Sequence, residues 1–478
     1  MFYAGFLGFI LLQQPLINPC PGCLRGVGQP PDSLIKKEKS FVVRNIKVSG
    51  NKVSKNFIVT REITLHPGNR VQGKEIPTHL TASKQNLLNT SLFNFVNLDT
   101  LELPGDSIDV EVKVEERWYT WPVPILEFAD RNFNIWWETR DPDRLNYGFF
   151  IFRENFRGRK ERLTLIFRAG YTRQLGLAYQ IPFLDAGQKS GIGFSVFRSK
   201  NHEVPIESKN DRLFFYNDPV LTLKTETGGR FNYVYRPRIY STFQVEGRYT
   251  NIQIHDTVSR IRDDFFESGE TRLEFFSLGV LYRIDRRDAK PYPLEGYYTD
   301  LEISKSGLGI LKNEDLELWT ATGTFRKFFK LGGRFYGAGS LRGKWSYGNF
   351  QPWFLNRGLG YRDYIRGYEY YVIDGQKYLL AKTGIKYALI KPRIKEITFI
   401  GQPKFRKLHY ALYVETFFDA GYCEDRYFYK ANTMSNTLQY GYGAGLNFVT
   451  YYDLVFRLEV SGNRMNLPGL FFHFAAPI

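Results

Sequence analysis

Residues 438–461 read LQYGYGAGLNFVTYYDLVFRLEVS and contain two alternating runs. In the first, Leu438, Tyr440, Tyr442, Leu446 and Phe448 oppose Gln439, Gly441, Gly443, Gly445 and Asn447. In the second, Leu454, Phe456, Leu458 and Val460 oppose Arg457 and Glu459. Successive side chains of a strand point to opposite faces, so each run is a strand with one apolar and one polar face. The polar face mixes both charge signs with Gly, which suits a hydrated interior. The apolar face is rich in aromatics near its ends, as at a lipid interface.

The same parity recurs upstream. Tyr410, Leu412, Val414, Thr416 and Phe418 alternate with positions that include Glu415 and Asp419; Phe243, Val245 and Tyr249 alternate with Gln244, Glu246 and Arg248. No helical period persists beyond residue 119. Period-two segments begin near 123, 147, 162, 175, 191, 222, 240, 275, 297, 316, 334, 377, 409, 438, 453 and 470. These sixteen candidates across 119–478 allow roughly 22 residues per strand with its connection, room for tilted spans of about 9–11 residues. An even count returns both barrel ends to the side of the preceding segment. A soluble sandwich also alternates but turns its apolar faces inward. The number of strands and their aromatic faces favour a transmembrane β-barrel.

Composition narrows the field further. The chain has 478 residues, 65 Lys and Arg against 49 Asp and Glu, and 41 Phe, 32 Tyr and 43 Gly. Mean hydropathy is −0.35, and no apolar run approaches the ~18 residues of a membrane helix. A hydrophobic content of 43% excludes disorder, and three Cys cannot form a disulfide framework for this length. The charge of +16 is dispersed over strands and loops, including Arg157, Arg159, Lys160, Arg286 and Arg287, with no compact basic helix, so no nucleic-acid partner is expected.

At the N-terminus, FYAGFLGFILL (2–12) has the length of a secretory h-region, and residues 1–23 are expected to be a leader. Cys20-Pro21-Gly22-Cys23 lacks the βαβ surroundings of a redox pair, and 24–40 reads as a linker. Residues 41–118 form a unit of their own. FVVRNIKVSG (41–50) is a strand with a turn at Gly50-Asn51. Ser54 is placed to cap a helix through Ile63, and a second helix spans about 75–92. FNFVNLDTLEL (93–103) and SIDVEVKVEERW (107–118) are two more strands, the latter with Ile108, Val110, Val112 and Val114 on one face and Asp109, Glu111, Lys113 and Glu115 on the other. The order β-α-α-β-β makes a small α+β domain.

Enzyme signatures are absent from the sequence. His66, His79, His202, His255, His409 and His473 show no metal-ligand spacing, and there is no nucleophile elbow or P-loop, so neither a metal nor a cofactor is expected. Gly441, Gly443 and Gly445 lie within a strand at period two and read as a smooth inner wall. One connection differs from the rest. YGNFQPWFLNRGLGYRDYIRGYEYYVIDGQ (347–376) holds five Gly and nine Phe, Tyr or Trp, too aromatic for a solvated tip. Folded into the lumen, its Arg362 or Arg366 would need an acidic partner.

With these residues in place, the chain resembles the outer-membrane assembly and translocation barrels typified by BamA and TamA. Residues 41–118 resemble a single POTRA domain, and 119–478 resemble the family's sixteen-stranded barrel. Ile365-Arg366-Gly367-Tyr368 matches the V/I-R-G-F/Y motif of the sixth extracellular loop, between the eleventh and twelfth strands. Phe418-Asp419-Ala420-Gly421 matches the acidic motif of strand 13, and Gly469, Phe472, Phe474 and Ile478 belong to an ending that resembles the closing strand. Two departures stand out. Ile478 replaces the usual terminal aromatic, and Lys386 stands where many members carry an acidic residue, so the motifs supply one carboxylate for the loop arginine, Asp419. One POTRA-like unit is read, where bacterial general insertases usually carry more. The resemblance implies an outer-membrane protein that inserts client barrels at a gate between its first and last strands. The strand at 93–103 would take extended clients by β-augmentation in the periplasm. Its partners would be the outer-membrane bilayer, unfolded outer-membrane or secreted clients, and accessory assembly proteins. A translocation pore for one dedicated partner and a passive channel remain alternatives.

Overall fold

The computed structural model describes residues 39–474 apart from 129–136, 138–139, 141, 143–144, 186, 219, 267–268, 312–315, 349–350, 397–406 and 451–453. The expected leader, most of the expected linker and Ile478 therefore lie outside the described residues. The N-terminal unit runs β1 (Ser40–Ser49), α1 (Asn56–Thr60), β2 (Arg70–Gln72), α2 (Ile76–Leu88), β3 (Phe93–Leu103) and β4 (Ser107–Glu116). Its sheet order is β2-β1-β4-β3, with β1 and β4 parallel and the other pairs antiparallel. The alternation in β4 sends Ile108, Val110, Val112 and Val114 into a core with Val43, Ile58, Val59, Ile63 and Leu87. β3 is left as an edge.

Four local expectations change. A short strand, β2, intervenes between the helices, which Arg70-Val71-Gln72 after the Gly68 turn could have signalled. The first helix is only five residues long and its N-cap is Lys55. Ser54 does not cap it; its hydroxyl accepts from Asn155 Nδ2 at 2.8 Å, which ties the unit to the barrel. The second helix stops at Leu88, because Asn89-Thr90-Ser91 turns with Ser91 at φ +60°.

Asp109 lies on the polar face of β4, yet it is fully covered. Arg44 donates to both of its oxygens at 3.0 and 2.8 Å, and Lys47 Nζ lies 3.1 Å away. The Arg44 hydrogen bonds outweigh the opposing effect of burial and, with help from Lys47, hold this carboxyl at about 2. A pKa depressed in the folded state contributes stability that is complete above the ordinary value of 3.8 and is lost as pH falls through that value toward 2. A fragment of residues 41–118 is expected to unfold cooperatively and to weaken in denaturant titrations across that window. Asp109→Asn should flatten this pH dependence, and an unchanged slope would refute the assignment.

Sixteen antiparallel strands form the second body. The first five are β5 (Thr120–Phe128), β6 (Leu145–Phe156), β7 (Glu161–Gly170), β8 (Thr172–Ile181) and β9 (Ser190–Asn201). A hairpin of β10 (Glu203–Lys209) and β11 (Arg212–Asn217) projects beyond the sheet. The sheet resumes with β12 (Lys224–Arg238) and β13 (Ser241–Ile254), followed by helix α3 (Asp256–Ile261). β14 (Arg272–Asp285), β15 (Gly296–Ser306), β16 (Leu318–Gly332) and β17 (Phe335–Gly348) come next. After two short loop strands, β18 (Arg357–Leu359) and β19 (Ile373–Asp374), the sheet ends with β20 (Lys377–Glu396), β21 (Lys407–Glu424), β22 (Leu438–Val449), β23 (Val455–Asn463) and β24 (Gly469–Phe474). Each sheet strand pairs with its neighbour along the chain, and the sixteen match the segments read from period two.

The outer face carries Leu454, Leu458 and Val460, with Phe149, Phe231, Leu301, Trp345 and Tyr442 among many other exposed large apolar residues. No water-soluble surface sustains an apolar band of this extent; it belongs in lipid. Connections at the mouth beside the N-terminal unit are mostly short, as at 239–240 and 333–334. Those at the far mouth include 202–223, 255–271 and 349–376.

The N-terminal unit is seated on the near mouth. Arg236, near the end of β12, donates to both oxygens of buried Glu62 at 2.8 and 3.1 Å. Lys55 N donates to Gly158 O at 2.9 Å, Asn89 Nδ2 to Asp288 O at 3.2 Å, and Phe183 of the β8–β9 turn enters the unit's core.

Candidate functional site

The long aromatic loop enters the barrel, and of its two candidate arginines Arg366 is the buried one; Arg362 is exposed. Arg366 donates from Nε to Asp419 Oδ2 at 2.9 Å and from Nη2 to Asp419 Oδ1 at 2.7 Å. Its backbone N–H adds a bond to Asp419 Oδ2 at 3.1 Å. A planar guanidinium meeting a carboxylate through two parallel bonds fixes orientation as well as charge. The Phe417 ring lies 3.8 Å from Cζ.

The second carboxylate comes from the same strand as the first. Glu415 Oε1 accepts from Arg366 Nη1 at 3.2 Å, and Glu459 Oε1 stands 3.8 Å from that nitrogen. Lys386, which occupies the expected acidic position, is buried and places Nζ over the Tyr292 ring at 4.3 Å. Asn447 donates to Glu415 Oε2 at 2.7 Å and lies 3.0 Å from the Tyr292 hydroxyl, so a residue of the near-mouth turn 286–295 joins this network.

The rest of the motif has steric reasons. Gly367 sits at φ +92°, where L side chains are strained, and a Cβ there would lie 2.8 Å from Gly462 O. A Cβ on Gly421 would stand 2.8 Å from Ile365 Cδ1, so the strand-13 glycine makes room for the loop isoleucine. Gly441 passes under the carbonyl of Arg366 with space for no side chain. Tyr368 is buried and donates its hydroxyl to Gln439 Oε1 at 3.1 Å. Arg342 and Tyr378 secure the loop at Asp363 Oδ2, at 2.9 and 2.7 Å.

The closing strand β24 pairs with β23, with Gly469 opposite Ser461, Phe472 opposite Leu458 and Phe474 opposite Phe456. β5 and β24 are the ends of the sheet order, and among the described residues no ladder joins them. Pro122 and Pro124 stand opposite Ile151 and Phe149 in the β5–β6 pair. A proline in a paired strand keeps its nitrogen off the ladder, so both nitrogens face away from β6 and deprive the seam edge of two donors. Sequence reasoning overlooked this alternate Pro pair, although a Pro-x-Pro within a strand signals an edge. Nor does the sequence show that Glu369, Arg457, Glu459 and His473 meet around the loop. The spacing of His473 in the chain signals nothing; the fold brings its Nε2 within 3.5 Å of Glu459 and 3.6 Å of Glu369.

No family model matches the sequence, and no curated protein matches it. Solved structures do match in shape. BamA from Haemophilus ducreyi lacking POTRA domains 1–3 aligns with a TM-score of 0.51 at 14% identity, over 91% of this chain and 84% of that one. The chain has the BamA-type barrel fold. CdiB from Escherichia coli aligns with a TM-score of 0.52 at 11% identity, over 91% of this chain and 75% of that one. CdiB from Acinetobacter baumannii reaches 0.48 at 13% identity, over 91% and 73%. Within this BamA-type barrel, the inward loop fills the lumen beside β20–β24. A cavity of about 610 Å³ remains toward β8–β14, lined by Gln174, Glu226, Arg230 and Arg248.

Proposed function

We propose that this chain is an outer-membrane assembly factor that inserts and folds β-barrel proteins at the seam between β5 and β24, with the N-terminal unit as a periplasmic POTRA-like domain. The observation that carries the reading is the seam itself. A sheet edge in lipid leaves backbone donors and acceptors unsatisfied, each at several kcal/mol, and so is a strong template for an incoming strand. The two prolines of β5 weaken pairing between the two ends. The exposed edge of β3 suits capture of an extended client before insertion. No cofactor enters this mechanism. The driving force is burial of the client's apolar face in lipid and closure of its backbone hydrogen bonds.

A second reading, a translocation pore for one dedicated partner, is favoured by the cavity that the loop leaves on one side of the lumen. Depletion of the protein in its native cell, followed by outer-membrane proteomics, separates the two. An assembly factor predicts broad loss of barrel proteins, and a dedicated pore predicts loss of one secreted or surface protein. An unchanged outer membrane would refute both.

A further inference from the structure

We propose that Glu369, Glu459 and His473 form a binding site for one divalent transition-metal ion of the zinc class, which clips the closing strand to the inward loop. Three elements converge here: Glu369 directly follows the loop motif, Glu459 lies on β23 and His473 on β24. Their donor atoms all lie within 4.8 Å of one another. His473 Nε2 is 3.5 Å from Glu459 Oε2 and 3.6 Å from Glu369 Oε1. Zinc bonds of ~2.0–2.2 Å at tetrahedral angles place neighbouring donors about 3.4 Å apart, which matches both separations. The same separations are too long for the alternative, an imidazolium held by charge-assisted hydrogen bonds of ~2.7–2.9 Å.

The donors are built for the task. Glu459 is 1% exposed, and neither of its carboxylate oxygens accepts a hydrogen bond; His473 Nε2 is likewise buried without one. Glu459 divides its charge, with Oε1 facing Arg457 Nε at 3.3 Å and Oε2 facing His473. Glu369 is held from behind, since Gly367 N donates to its Oε2 at 2.9 Å, and its Oε1 lies 3.6 Å from His473 Nε2. Tyr364 stacks on the imidazole at 5.9 Å and 24°, and Phe471 at 6.5 Å and 24°, which orients the ring. One imidazole with two carboxylates favours zinc-like ions over calcium or magnesium, which prefer all-oxygen shells. The site includes a residue of the seam strand β24, but the metal binding it predicts does not depend on what the seam inserts.

The test uses the full chain refolded in detergent and stripped with chelator. Zn²⁺ titration by calorimetry should give one ion per chain, and Co²⁺ should develop the visible absorption of a tetrahedral site. Glu369→Gln and His473→Gln should each weaken Zn²⁺ binding by at least about tenfold, whereas His202→Gln should not. Should either variant fail to fold, the wild-type protein still decides: Zn²⁺ should shield His473 from diethyl pyrocarbonate, read by mass spectrometry, and Ca²⁺ and Mg²⁺ should not. Absence of stoichiometric binding, wild-type affinity in both variants, or equal modification of His473 with and without Zn²⁺ would overturn the site. Equal shielding by Ca²⁺ would overturn the metal class.

Discussion

Arg366→Ala is expected to remove most of the folded, heat-modifiable barrel. The guanidinium is fully enclosed, holds Asp419 through two side-chain bonds and reaches Glu415 and the Thr383 carbonyl. Deleting it leaves Asp419 and Glu415 buried around an empty space, and breaking one partner of such a pair costs about 3–5 kcal/mol. Arg366→Lys should recover only part of the loss, because one ammonium cannot reproduce the forked contact. Asp419→Ala should be milder than Arg366→Ala, since Glu415 still accepts from the arginine. The double variant should be little worse than Arg366→Ala alone, because the two side chains act as one unit. Fully additive losses, or a wild-type yield of folded Arg366→Ala, would sink the idea that this pair locks the loop.

The second large effect is expected at Leu458, near the middle of β23 on the outer face. Leu458→Arg places a charge in the bilayer and should cost about 2–4 kcal/mol in a lipid refolding titration. Period two alone would nominate Glu459, one residue on, as the tolerant position of a hydrated lumen. The structure reverses that expectation. Glu459 is buried beside Arg457, Arg366 and His473, so an arginine there would crowd a third guanidinium into a packed site. The suitable comparison is Gln174→Arg, which faces the open part of the lumen. Equal losses for Leu458→Arg and Gln174→Arg would mean that the outer face does not meet lipid.

The strands were legible because each needs only its own residues: a two-residue period survives whatever the neighbours are, and sixteen such periods locate the sheet. The loop motif was legible in part. Arg366 announced itself as a cation in an aromatic connection, and Asp419 as an acid of inward parity. Glu415 could not be singled out as a ligand, because its parity equals that of every other inward residue on β21. Ser54 misled for a related reason. A hydroxyl before a helix satisfies a capping rule locally, and only the approach of Asn155 from the barrel shows where it is used. The short β2 left no period, since three residues carry none, and its one signal was the turn at Gly68 that precedes it.

What the sequence determined by itself was therefore local and periodic: the alternating faces, the strand count, the small α+β unit and the inward aromatic loop. What only the tertiary structure decided was which groups of equal parity meet. Lumen filling makes one half of the inner wall a packed interior and leaves a cavity along the other half, so Glu459 and Gln174 both face inward but in different environments. The convergence of Glu369, Glu459 and His473, and the seating of Glu62 on Arg236, arise between segments far apart in the chain. Their juxtaposition depends on barrel registry and loop insertion, and neither leaves a period in the sequence.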